Sequence, residues 1–153
     1  MKQYLSYDDI HQDTLSLLEK IPSEQLSKIE GIVAIARGGC IPGVIAAEQL
    51  SIINFRTVSL SSYSQGKQGA MKVLTAFESD KRWLVIDELV DSGKSMQKLK
   101  SMLPNSLFVS LYAKPAGAEV VDYFLREYSQ EQWLVFPWEK KESLVSYEKE
   151  EKV

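Results

Sequence analysis

The run Gly31-Ile32-Val33-Ala34-Ile35-Ala36 constrains the fold more than any other stretch of the chain. Every position after the glycine is apolar, and Arg37-Gly38-Gly39 ends the run before it reaches the length of an ordinary helix. A strand apolar on both faces needs cover on both faces, which is the situation inside a parallel sheet sandwiched by helices. Trp83-Leu84-Val85-Ile86, running into Asp87-Glu88, repeats the pattern, and so does Leu107 to Ala113. Asn54 to Leu60 reads as a further strand, Met71 to Leu74 as a short one and Trp133 to Phe136 as a last one.

Helical spacing fills the intervals. From Asp8 to about Glu19, with Ile21 just beyond, Ile10, Thr14, Leu17, Leu18 and Ile21 fall on one face, with Ser6 or Asp8 available as cap. Pro42 sits where a second helix begins, followed by Val44 to Leu50 without a breaker. Ser95 to Leu103 carries Met96, Leu99 and Leu103 at helical offsets and stops at Pro104-Asn105. Strands alternating with helices predict an α/β domain with a mostly parallel sheet. The polar stretch Ser61 to Gly69 reads as a loop, and the Lys- and Glu-rich stretch 139–153 as a charged helix or tail.

A length of 153 residues fits one domain, 1–153, with no internal boundary. Lys and Arg number 18 against 21 Asp and Glu, a formal charge of −3, so the chain has no overall pull toward nucleic acid or anionic lipid. One cysteine, Cys40, and one histidine, His11, exclude an intrachain disulfide and the usual structural zinc cages. His11 falls on the polar side of the first helix, and Cys40 reads as a small packing residue. With neither an apolar signal core nor a run long enough to span a bilayer, the expectation is a soluble, cytoplasmic protein.

In an open parallel sheet, ligands bind beyond the carboxyl ends of the strands. Three such ends carry unusual residues here: Arg37-Gly38-Gly39, Asp87 through Ser95, and Lys114-Pro115-Ala116-Gly117. The Gly93-Lys94-Ser95 triplet imitates the end of a P-loop, but the glycine required five residues earlier is Glu88, and that reading fails. What remains is a short turn feeding a helix N-terminus, where free amides and the helix dipole suit one phosphate group. Ser92 and Ser95 add hydroxyl donors, and Gly93 permits close backbone approach. The carboxylates of Asp87 and Glu88 alongside can accept from a diol or hold Mg2+. An acidic pair alone is more often a solvated strand end; the apolar strand before it and the helix after it favour a cradle for a ribose 5-phosphate.

Val85-Ile86-Asp87-Glu88-Leu89-Val90-Asp91-Ser92-Gly93-Lys94-Ser95 resembles the phosphoribosyl diphosphate (PRPP) motif of the type I phosphoribosyltransferase family. Ala36-Arg37-Gly38-Gly39, Ser61-Ser62-Tyr63, Ala113 to Gly117 and Trp133 to Trp138 follow in the order found in bacterial xanthine-guanine phosphoribosyltransferases, so the chain resembles the 6-oxopurine branch. The resemblance implies a twisted, mostly parallel sheet flanked by helices, with a small hood built from the terminal segments. It also implies transfer of 5-phosphoribose from PRPP to N9 of guanine, xanthine or hypoxanthine, with Mg2+ as cofactor and a homo-oligomer, dimer or tetramer, as the assembly. Nucleic acid and integral membrane are not among the implied partners.

The roles the resemblance implies fall on named residues. Arg37 and Gly38, with Ser62 and Tyr63 on a flexible loop, would hold the pyrophosphate of PRPP. Asp87 and Glu88 would address the ribose hydroxyls and the metal. Asp91, Ser92, Gly93, Lys94 and Ser95 would surround the 5-phosphate, with Asp91 also near purine N7 as the proton-handling group. Lys114 would donate to O6, Trp133 would stack on the base and Leu134 would offer backbone groups to its edge. The chain departs from the pattern at Glu88, where aspartate is commoner, at Lys94 in place of glycine, and at Val135, where an acidic residue can read the purine 2-substituent. Gly69 replaces a loop arginine, leaving Lys67 as a candidate substitute. Two alternatives stand beside this reading: a regulator of the same fold that binds PRPP or nucleotide without turnover, and a transferase for adenine or a pyrimidine. The charge of −3 counts against the first and Lys114 with Trp133 against adenine.

Overall fold

A computed structural model of the chain describes residues 1–64, 67–73, 78 and 80–140, the stretch 61–73 by its backbone alone. The chain begins with β1 (Lys2–Tyr4) and α1 (Tyr7–Lys20). Ser6 caps α1 through a reciprocal pair of bonds: the Asp9 N–H donates to Ser6 Oγ at 3.0 Å and the Ser6 N–H to the Asp9 carboxylate at 2.8 Å. There follow α2 (Ser23–Leu26), β2 (Gly31–Ile35), α3 (Cys40–Leu50), β3 (Phe55–Val58), β4 (Leu60–Ser64) and β5 (Lys67–Val73). The second half runs β6 (Trp83–Val90), α4 (Lys94–Met102), β7 (Leu107–Ala113), α5 (Pro115–Ala118), β8 (Tyr123–Glu127) and β9 (Trp133–Val135).

Five strands form one parallel sheet in the order β3-β2-β6-β7-β8. The two-residue alternation of a strand divides the apolar runs between two faces. Ile32, Ala34, Leu84, Ile86, Val109 and Leu111 join Ile10, Leu17 and Leu18 of α1 and Ala46 of α3 in one cluster. Val33, Val85 and Phe108 join Met96 and Leu99 of α4 in the other. Leu17, Leu84 and Leu99 are wholly buried, each removing apolar surface from water at a gain of roughly 2 kcal/mol. One polar link crosses the first cluster: the buried Tyr112 hydroxyl donates to Asp13 Oδ2 at 2.6 Å, and Arg126 Nη2 lies 3.1 Å from Asp13 Oδ1. Burial and that bond hold the Tyr112 proton on, well above the ordinary tyrosine range.

Most expected elements appear within a residue or two, and the differences have physical reasons. The polar stretch expected as a loop is in its backbone an antiparallel hairpin, β4 with β5, lying apart from the main sheet. A ribbon outside the core needs backbone partners rather than apolar side chains, so hydropathy does not reveal it. β6 extends past Ile86 to Val90, which puts Asp87 and Glu88 inside the strand, not beyond its end. The terminal segments β1 and β9 pair in parallel, Gln3 opposite Leu134, as the expected hood requires. The stretch 139–153, expected as a charged helix or tail, lies outside the described residues from 141 onward.

Candidate active site

β2, β6 and β7 are neighbours in a parallel sheet, so their carboxyl ends meet at one edge. The segment after β2 turns at once: the Ala36–Arg37 peptide bond is cis, and the Gly39 N–H donates to the Ile35 carbonyl at 2.9 Å. A Cβ on Gly39 would stand 2.5 Å from the Ile35 oxygen and 2.7 Å from the Ile86 oxygen. A Cβ on Gly38 would fall on the Glu88 carboxyl group. The glycine pair therefore lets this loop lie directly on β2 and β6, with Gly38 against the acid pair and Arg37 exposed.

The acid pair is close-knit. The Glu88 N–H donates to Asp87 Oδ1 at 2.8 Å. Burial first, then the bond to the Glu88 side chain and that neighbour's charge, push the Asp87 carboxyl well above the usual carboxylate range. Glu88 Oε2 is buried without a hydrogen-bond partner. Two adjacent carboxyl groups, one reluctant to ionise and one with an orphaned oxygen, are a donor set that a divalent cation or a pair of hydroxyls would satisfy. Cys40 lies close enough for its thiol to be pushed up by burial and by the Glu88 charge, the opposite of what a thiolate nucleophile needs.

The Asp87 shift has a stability consequence with a definite sign. A carboxyl whose pKa rises on folding stabilises the native state below its unfolded value, and that contribution is lost as pH climbs through the folded value. Asp87→Asn is neutral throughout and escapes the loss. The melting temperature of the variant relative to wild type is expected to rise as pH climbs from about 4 to about 8, the wild type losing the contribution of its protonated Asp87 while the asparagine is unaffected. Thermal scans across that range check it, and a difference that stays flat or falls contradicts it.

Beyond β6, Gly93 takes a left-handed φ of 82° and heads α4. It has no side chain with which to cap the helix, and the Lys94 N–H reaches Ser92 Oγ only at a long 3.4 Å. The first-turn amides thus face the same edge as the acid pair, with the dipole of a nine-residue helix behind them. α5 closes over this turn through Gly117, where a Cβ would stand 2.5 Å from the Val90 oxygen and 2.8 Å from the Asp91 oxygen. Ser92 and Lys94 are exposed and Ser95 is half-buried.

At the end of β7 the Lys114 N–H donates to the Val90 oxygen at 2.9 Å, fixing that residue beside the turn. Its side chain is 4% exposed, not a surface lysine. The ammonium donates to the carbonyl oxygens of Ser129 at 2.8 Å, Gln130 at 3.4 Å and Gln132. Asp91 Oδ1 accepts a 2.6 Å bond from Gln130 Nε2. Trp133, directly after this turn, is 47% exposed, too open for a core tryptophan, whereas the Leu134 side chain is buried. Sequence reasoning named Asp91, Lys114 and Trp133 but missed Gln130, which joins the first two; a glutamine in a polar loop carries no periodicity or motif. The side chains of Ser62, Tyr63 and Lys67 lie outside the described residues.

A parallel sheet whose central strand ends deliver an acid pair, an uncapped helix N-terminus and a buried lysine defines an α/β domain for phosphorylated sugars or nucleotides. The chain belongs to the phosphoribosyl transferase domain family, whose pattern matches residues 3–143. It is 39% identical over 137 residues to the xanthine-guanine phosphoribosyltransferase of Desulfotalea psychrophila, covering 88% of this chain and 84% of that one. Against the xanthine-guanine phosphoribosyltransferase of Nitratidesulfovibrio vulgaris it is 40% identical over 141 residues, 88% of this chain and 83% of the relative. Among solved structures, the purine phosphoribosyltransferase from Pyrococcus horikoshii superposes with a TM-score of 0.77 at 26% identity, over 91% of this chain and 95% of that one. The Helicobacter pylori xanthine-guanine-hypoxanthine phosphoribosyltransferase shares the fold at the same TM-score, covering 96% of this chain and 99% of that one at 23% identity.

Proposed function

We propose that this chain, as one domain, transfers 5-phosphoribose from PRPP to N9 of a 6-oxopurine, releasing pyrophosphate and forming the nucleoside 5-monophosphate. The observation that carries the reading is the meeting of the Asp87–Glu88 pair, the open N-terminus of α4 and the buried Lys114 at one sheet edge. The 5-phosphate is held by the amides and hydroxyls of Ser92 to Ser95, with Lys94 adding charge. Arg37, Gly38, Ser62 and Tyr63 take the pyrophosphate. Asp87 and Glu88 take the ribose hydroxyls and would hold Mg2+, which when bound screens the pyrophosphate charge and makes it a better leaving group. The orphaned Glu88 oxygen supports that assignment.

In the reaction the bond from the anomeric carbon to pyrophosphate breaks and the bond to N9 forms. The purine gives up one proton, and Asp91, placed toward N7, receives it or steadies it. The ends of the line of reaction are fixed by the phosphate loop on one side and the base site on the other, so positioning supplies much of the rate. Lys114 donates to O6, Trp133 stacks on the ring and the Leu134 backbone meets its edge. An ammonium offers only donors, so it pairs with an oxo group and leaves the amino group of adenine unmatched. A homo-oligomer, dimer or tetramer, and a cytoplasmic location accompany this reading. Among the described residues no helix is long and apolar enough to cross a membrane.

The test is a comparison of specificity constants with PRPP and Mg2+ present. A site built to bond O6 is expected to favour the best of guanine, xanthine and hypoxanthine over adenine by about 10³-fold or more. Adenine turnover within tenfold of the best oxopurine would contradict the assignment of Lys114, and PRPP binding without turnover of any base would favour the regulator.

A further inference from the structure

Gln130 touches both charged groups of the proposed base site. Its Nε2 donates to Asp91 Oδ1 at 2.6 Å, and its main-chain oxygen lies 3.4 Å from Lys114 Nζ. Resting on the function proposed above, we propose that Gln130 is a positioning residue for the oxopurine base: it sets the Asp91 carboxylate and anchors the 129–132 turn so that acid, ammonium and Trp133 meet the base in one arrangement.

Asp91 is exposed on the turn after β6, where an unrestrained carboxylate samples several rotamers. A short bond from a neutral amide to an ionised carboxylate selects one of them and leaves the other oxygen for the base. The turn that supplies this amide is closed on itself: the Ser129 N–H donates to Gln132 Oε1 at 3.2 Å and the Gln132 N–H to the Ser129 carbonyl at 3.1 Å. It rests on Lys114 through main-chain oxygens and leads directly into Trp133, whose N–H donates to the Met1 carbonyl at 3.1 Å. The Gln130 side chain is the link from this turn across to the turn after β6. Without it, the Asp91 rotamer and the base-stacking turn are set independently.

The Lys114 ammonium has three N–H groups and three carbonyl partners, so a purine O6 must take the place of one of them. The Gln130 oxygen, at 3.4 Å, is the weakest-held and the one exchanged. Once that contact is given up, the Ser129 and Gln132 oxygens still hold the turn to Lys114, and the amide bond to Asp91 is what ties the turn to the acid itself. Gln130 thus acts through Asp91 and Lys114 and not on the base itself.

Gln130 is exposed, and Gln130→Ala is expected to fold with an unchanged melting temperature. Its kcat on the best oxopurine is expected to fall about tenfold, since misplacing a reacting group by an ångström costs up to about 10²-fold. The KM for PRPP stays within about twofold, because the phosphate loop is untouched. Gln130→Glu, of equal length but presenting a second carboxylate to Asp91, falls at least as far. An unchanged kcat overturns the proposal. So does a lower KM for the base with kcat retained, which would make Gln130 an occupant that the base displaces, and so does equal loss toward both substrates with a lowered melting temperature. Wild type run in parallel separates the two levels: no nucleotide from any oxopurine removes the proposed function itself, whereas an active wild type with an unaffected variant removes only the role of Gln130.

Discussion

Asp91→Ala is expected to lower kcat on an oxopurine by about 10³-fold, the range lost when a positioned acid or base is removed. PRPP should still bind, with a KM within about twofold, because the 5-phosphate is held by amides at the start of α4 and not by this carboxylate. Asp91→Asn separates proton handling from geometry. Its side-chain oxygen still accepts from Gln130 Nε2, now 2.6 Å from Asp91 Oδ1, but it takes no proton. The asparagine variant should therefore fall nearly as far as the alanine variant. Steady-state rates with PRPP varied at saturating base, and the reverse, read both numbers. Turnover kept by Asp91→Asn would assign the residue to orientation alone; turnover kept by both would remove it from the reaction.

Gly39→Ala is expected to damage the fold more than any surface change in the chain. The added carbon would stand 2.5 Å from the Ile35 oxygen and 2.7 Å from the Ile86 oxygen, both main-chain atoms of central strands. Neither can withdraw without disturbing the pairing of β2 with β6, so the cost is about 3 kcal/mol, at the upper end for overpacking. In a chain of this size that is a fall of roughly 6–12 °C in melting temperature. Gly38→Ala is the informative contrast. Its Cβ would meet the far end of the Glu88 side chain, which can swing aside, so stability changes little while the acid pair is displaced and use of PRPP suffers. Calorimetry and kinetics on the two variants should show the losses on opposite sides; equal losses of stability would mean the Gly38 segment is only a packing element.

The central architecture was legible because it is written in apolar side chains. β2, β6 and β7 are buried runs, and α1 and α4 carry their core faces at helical offsets, so hydropathy alone reveals them as elements. The strand ends were legible for a different reason: glycines, hydroxyls and paired acids cluster where a covered sheet needs none of them. β8 was missed because an edge strand is only half covered, and Arg126 and Glu127 break any alternation. Of the β4–β5 hairpin only the end of β5 was legible, where Met71 to Leu74 reads as a short strand; the rest was missed because its polar residues read as loop. The buried Asp13 and the loop residue Gln130 act through partners 99 and 39 residues away, contacts that exist only once strand order is known. Hydrogen-bond partners at such separations are a property of topology, which local pattern does not carry.

The central claim is tested most directly by following the products of PRPP, Mg2+ and each oxopurine incubated with the purified chain. Phosphorus NMR with chromatography of the purine should show pyrophosphate and the N9-linked nucleoside 5-monophosphate appearing in equal amounts as PRPP and base disappear. PRPP left intact beside every oxopurine, or pyrophosphate released without a matching nucleotide, would contradict the account.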